Sequence, residues 1–181
     1  MSRTKMRNVI SFGLLGGLIF VPAVCAAAPQ QLYNKTVRIS WSQSMTMKLL
    51  AGGNQISATP RFERTIYVSG SGRAFVRSHA VGSGRVAPVR TVEKGPEEST
   101  TRIFQGNQIL MVGQRPGDGV ATRVAVSFDA TFSTCTATVT VGKVGPNPKI
   151  TGIDGSPREL IDVSASSPSC SISEGNGLAG Q

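Results

Sequence analysis

From Val37 to Ala165, apolar residues in this chain recur two positions apart, and almost nowhere do they recur at the three-and-four spacing with which a helix buries a face. Such a chain is confined to β-structure, because successive side chains of a strand point to opposite faces and a period of two marks a strand with one face buried. Val37, Ile39 and Trp41 share one face of a first strand, with Lys35 and Arg38 among the polar neighbours, and Trp41 reads as a core position. Met45, Met47 and Leu49 mark a second strand close behind. Ile66 and Val68 precede Ser69-Gly70-Ser71-Gly72, after which Arg73 to Ser78 resumes an extended pattern, so residues 61–69 and 73–78 form a hairpin around the glycines. A second short-turn hairpin pairs Thr101 to Phe104 with Gln108 to Val112.

The next stretch carries a change of parity. Val124, Val126, Phe128 and Phe132 are even, whereas Cys135, Ala137, Val139 and Val141 are odd. A shift of one residue moves every side chain to the other face, so a turn lies near Asp129 to Thr131. Glu159 to Ala165 supplies a last strand. Two segments fall outside the rhythm: Ala80 to Thr100, rich in Gly, Pro and charge, reads as a long mobile loop, and residues 171–181, small and polar, read as a disordered tail. The fold expected is all-β, a single antiparallel β-sandwich or small β-barrel of about eight or nine strands with one disulfide, spanning 27–170.

Ahead of this domain, Arg3, Lys5 and Arg7 precede an apolar run from Val9 to Val21 and the small residues of AVCAAA. That order of charge, apolar run and small residues is a secretory signal peptide, residues 1–26, cleaved before Ala27. The apolar run is shorter than the roughly 20 residues a spanning helix needs, so the processed chain is not expected to be transmembrane. Cys25 raises the alternative of a lipidated N-terminus, but Val24 before it is larger than the small residue such processing wants. The localisation expected is the periplasm or the medium. There Cys135 and Cys170, the pair left once Cys25 departs, are expected to form a disulfide.

The motifs ISW, RTIYVSGSGRAFVR and VAVSFDATFSTCTATV, together with the leader and the final Cys170, resemble a set of small uncharacterised exported proteins of alphaproteobacteria. The resemblance implies an exported β-domain and no particular activity.

Few chemistries fit the residues present. His79 is the single histidine, no nucleophile-elbow sequence surrounds any serine, and Cys135, Cys170 and His79 are too few for zinc, so neither a catalytic residue nor a metal or cofactor is expected. Gly70-Ser71-Gly72-Arg73 has no following helix and reads as a hairpin turn rather than a phosphate loop. Charge is the feature that points outward. The leader takes three of the 19 Lys and Arg and none of the 10 Asp and Glu, which leaves sixteen cations against ten anions, a formal +6. Arg64, Arg73, Arg77 and Arg85 cluster around the hairpin and the loop after it, with Arg64 and Arg77 placed to face each other, and arginine suits bidentate contact with carboxylate or phosphate.

The function expected is therefore a non-enzymatic domain whose partner is an anionic envelope polymer or another envelope protein. Nucleic acid is not expected, since aromatics are not interleaved with the basic residues. Two alternatives stand beside it: a small barrel carrying an apolar ligand lined by Met45, Met47, Phe75 and Leu110, and a hydrolase using two of Asp129, Asp154, Glu159 and Asp162.

Overall fold

The computed structural model describes residues 28–81, 85–86, 90–91, 100–114, 119–152 and 155–179; the proposed leader and Cys25 lie outside them. Apart from a 3₁₀ turn at Gln30–Leu32, the regular structure of these residues is strand. The strands are β1 (Lys35–Leu49), β2 (Gln55–Ala58), β3 (Arg61–Val68), β4 (Ala74–Val81), β5 (Arg85–Val86), β6 (Arg90–Thr91) and β7 (Thr100–Gln105). They continue as β8 (Gln108–Gln114), β9 (Val120–Phe128), β10 (Cys135–Lys143), β11 (Lys149–Thr151), β12 (Pro157–Ala165) and β13 (Ser169–Glu174).

The organising element is β1, a single strand of 15 residues where the sequence suggests two. No glycine or proline interrupts Ser42-Gln43-Ser44, so nothing stops the extended backbone there. Its first half pairs with β3 on one edge and β13 on the other, and its second half with β2 and β12, all antiparallel. β12 takes over as partner from Gln43, and a register shift within that pairing, between Thr46 and Met47, leaves Ile161 of β12 as the extra residue of a β-bulge. Beyond β3 the sheet continues through β4 to the short β5 and β6, and beyond β12 to β11, giving nine strands in one curled sheet. A second sheet runs β10-β9-β8-β7.

The two sheets face each other across one core. Val37, Ile39, Trp41, Ile66, Val68, Ala74 and Val76 come from the first, and Phe104, Ile109, Met111, Val124, Val126 and Phe128 from the second. Leu32 of the 3₁₀ turn, wholly buried, plugs the same core. The expected all-β architecture and the core position of Trp41 are present. A disulfide from Cys135 at the head of β10 to Cys170 on β13 joins the sheets.

The turns explain the hairpins. Between β3 and β4, the Ser69 amide donates to the Arg73 carbonyl at 2.8 Å and the Gly72 amide to the Ser69 carbonyl at 2.9 Å. Gly72 sits at φ 77°, and a Cβ there would lie 2.5 Å from the Tyr33 hydroxyl, so only glycine closes this turn. The expected turn between β9 and β10 falls at Asp129–Thr134 and accounts for the parity change.

Two segments read as irregular carry strand pairing where they are described. Within 80–100, Arg85–Val86 and Arg90–Thr91 add short strands to β4, and the rest lies outside the described residues apart from Ala80, Val81 and Thr100, which belong to β4 and β7. The tail expected to be disordered from 171 instead pairs with β1 through Glu174, Lys35 opposite Glu174 and Ile39 opposite Cys170. Alternating Cys170 and Ile172 pack against the core, an apolar period too short to stand out among the serines around it.

Candidate anion-binding face

Antiparallel register assigns every residue of β1, β3 and β4 to one of two faces. Val37, Ile66 and Val76 align across the three strands on the core face. The opposite face carries Thr36, Arg38 and Ser40 from β1, Arg61, Glu63, Thr65 and Tyr67 from β3, and Phe75, Arg77 and His79 from β4. Ser169, Ser171 and Ser173 of β13 extend it at the β1 edge.

This register separates the arginines that the sequence groups together. Arg64 opposes Ser78, and Thr65 opposes Arg77, so Arg64 and Arg77 lie on opposite sides of the sheet rather than facing each other. Arg64 is on the core side, its guanidinium carbon 5.6 Å from the centroid of Trp41, which in turn stacks on Phe62 at 5.5 Å. Arg85 pairs with Ala80, the register position that shares the face of Arg64. Arg73 and Arg77 belong to the outer face, and the guanidinium of Arg73 lies 5.8 Å from the Phe75 ring, itself nearly parallel to Tyr67 at 6.3 Å. A hairpin sequence shows that arginines are near one turn; whether two of them on opposite strands share a face depends on whether their residue numbers sum to the same parity as a directly opposed pair, and the turn length sets that parity.

Burial divides the outer face again. Arg61 and Arg73 are exposed, Arg38 is half-buried, and Arg77 is closed in at 8% exposure. Among the described residues that β1, β3, β4 and β13 place on this face, Glu63 is the one acid, and it accepts a 3.3 Å hydrogen bond from the Thr65 hydroxyl. The accessible cations are therefore Arg61 and Arg73 at the two ends of the β3–β4 hairpin, with Arg38 between strands. Arg38 is missed by the sequence reading, because its membership of this face follows from the β1–β3 register and not from proximity in the chain; Arg61 lies in the same arginine-rich span as Arg64 and Arg73 but is not singled out as a site residue.

The residues considered for other chemistries are dispersed. Phe75 lies on the outer face of the first sheet, and Leu110, opposite Ala125, on the face of the second that is turned from Ile109 and Met111. Met47 faces Leu160 and Ile56 beyond the register shift of the β1–β12 pairing, so the four suggested lining residues do not surround a common interior. Glu159 and Asp162 stand on β12, opposite Lys48 and Thr46, while Asp129 is in the turn of the other sheet and Asp154 lies outside the described residues. Asp129 is spent on its own turn: it accepts from the Ser133 and Thr131 hydroxyls, both at 2.7 Å, and from the amides of Thr134 at 3.0 Å and Ser133 at 2.7 Å. Those donors, the Ser133 hydroxyl foremost, hold its carboxyl well below the usual carboxylate range. No group of three or more His, Cys, Asp or Glu able to hold a metal occurs among the described residues.

Compared with known proteins, the chain matches no family model, no curated protein and no solved structure.

Proposed function

We propose that this protein is an exported, non-enzymatic β-domain that binds an anionic envelope component through the outer face of the β1–β3–β4 sheet. The observation that carries the reading is the charge of that face: among the described residues of β1, β3, β4 and β13 and the β3–β4 turn, Arg38, Arg61, Arg73 and Arg77 share it with one acid, Glu63. Arginine engages carboxylate and phosphate through two parallel N–H donors, and a surface of one sign concentrates ligands of the other. The exposed Arg61 and Arg73 make first contact, and Tyr67 and Phe75 beside Arg73 offer apolar rings against which a sugar or acyl chain packs. Export is supported by the charged, apolar and small-residue order of residues 1–26, and a disulfide suits an oxidising compartment.

The test is retention on immobilised lipopolysaccharide and on acidic polysaccharide as salt is raised. Contacts of this kind weaken as the screening length contracts from about 10 Å at 0.1 M salt to about 3 Å at 1 M. The parent should elute at moderate salt, and Arg61→Gln with Arg73→Gln should elute earlier with an unchanged thermal midpoint. Salt-insensitive retention, or none, refutes the reading.

A further inference from the structure

The outer face holds an arginine, Arg38, whose hydrogen-bonding capacity the fold uses only in part. Arg38 presents five N–H donors. Its Nη2 donates to the Gly177 carbonyl at 3.4 Å, its Nε is buried with no acceptor, and among the described residues no carboxylate lies within ion-pair distance. One long bond to a neutral carbonyl is poor satisfaction for a guanidinium, whose bonds to anions are shorter and about twice as strong.

That one acceptor comes from residues 175–179, which leave β13 and cross the face over Thr36. The Thr36 hydroxyl donates to the Gly175 carbonyl at 2.7 Å and accepts from the Gly177 amide at 2.8 Å, which closes Thr36 completely to solvent. The Gly175 amide donates to the Asn34 carbonyl at 2.7 Å. The strap is held by these few polar contacts, with Gly175, Asn176 and Ala179 exposed. Directly opposite Arg38 on β13 stands Ser171, an exposed hydroxyl.

We propose that Arg38 is a second anion position of the outer face, taking a carboxylate or phosphate oxygen of the bound polymer with Ser171 beside it, and that the Gly177 carbonyl is a tethered occupant which the ligand displaces. This rests on the reading of the outer face as the binding surface. Displacement exchanges a neutral acceptor for a charged one, and the Thr36 bonds it breaks are replaced by bonds to water once the strap lifts. Gly177 has no room for a side chain: a Cβ would fall 2.7 Å from Thr36 Cγ2 and 3.1 Å from Arg38 Nη2, so Gly177→Ala dislodges the strap without shortening the chain.

The experiment measures dissociation constants at low salt for polygalacturonate, which carries carboxylates, and for polyphosphate. The proteins are the parent, a form lacking residues 175–181, Gly177→Ala, and each of these with Arg38→Gln. Both strap variants should bind about five- to tenfold tighter than the parent, the gain expected of one charge-assisted contact, and Arg38→Gln should abolish that gain. Preference for one polymer tells whether the position takes carboxylate or phosphate. In the parent, exchange of the Gly175 and Gly177 amides should accelerate when polymer is added, a readout that needs no variant to fold. Unchanged exchange, or strap variants that bind like a parent whose own salt-sensitive binding is intact, overturns the Arg38 proposal and leaves the outer-face reading standing. If none of the proteins binds either polymer, the outer-face reading falls and the Arg38 position with it.

Discussion

Thr65 on β3 stands directly opposite Arg77 on β4, and the two are nearly closed to solvent, at 2% and 8% exposure, although they project from the face of the sheet turned away from the core. A buried guanidinium contributes to stability through its bonds, and removing it leaves its neighbours without partners. Arg77→Gln should therefore destabilise the domain by about 1 to 3 kcal/mol, or several degrees in the thermal midpoint, whereas Arg73→Gln, at an exposed position, should move it by less than about 0.5 kcal/mol. Thermal melts of the two single variants separate a structural arginine from a surface one. Equal midpoints would show that Arg77 is as dispensable to the fold as Arg73.

The same pair shows where sequence reading stops. Alternation at Val37, Ile39 and Trp41, at Ile66 and Val68, and at Val124, Val126 and Phe128 is imposed by burial on one face, so strands, core and the Asp129 turn are legible from composition and spacing alone. Pairing between distant strands leaves no such mark. That β1 runs unbroken for 15 residues, that β13 returns to its edge, and that Arg38 joins Arg77 across β3 are consequences of register, fixed by contacts that the local pattern does not encode. The arginine cluster was legible as a local concentration of charge but not as two groups on two faces.

The turn at Asp129 gives a pH-dependent prediction. Its carboxylate is fixed by four donors from Thr131, Ser133 and Thr134, and the turn places Phe132 at φ 55°, a left-handed conformation retained because its ring stacks on Phe128 at 5.2 Å. With the folded pKa depressed, the stability that Asp129 contributes is fully present above the unfolded value near 3.9 and is lost as pH falls toward the folded one. Asp129→Asn should melt below the parent at pH 7, and the gap should narrow under about pH 4. A gap that persists unchanged to about pH 2 would assign the effect to turn geometry rather than to charge.

The disulfide should matter more for the C-terminal edge than for the rest of the core. Cys135 opens β10 and Cys170 lies opposite Ile39, so the bond crosses from the second sheet to a strand that, among the described residues, pairs its backbone with β1 alone. For a sequence separation of 35 residues, chain-entropy arguments give a stabilisation of about 4 kcal/mol. Replacing both cysteines by serine should lower the denaturation midpoint accordingly. It should also raise amide exchange first in Ser169–Glu174 and in the strap that follows, because β13 then holds its place by six paired positions on β1 and by Ile172 against the core. The coupling reaches the outer face: a loosened β13 carries residues 175–179 away from Thr36 and Arg38, so the double variant should bind polyanion more tightly while being less stable. Weaker binding alongside the lost stability would mean that the face requires the strand in place, and that the strap is part of the binding surface and not its cover.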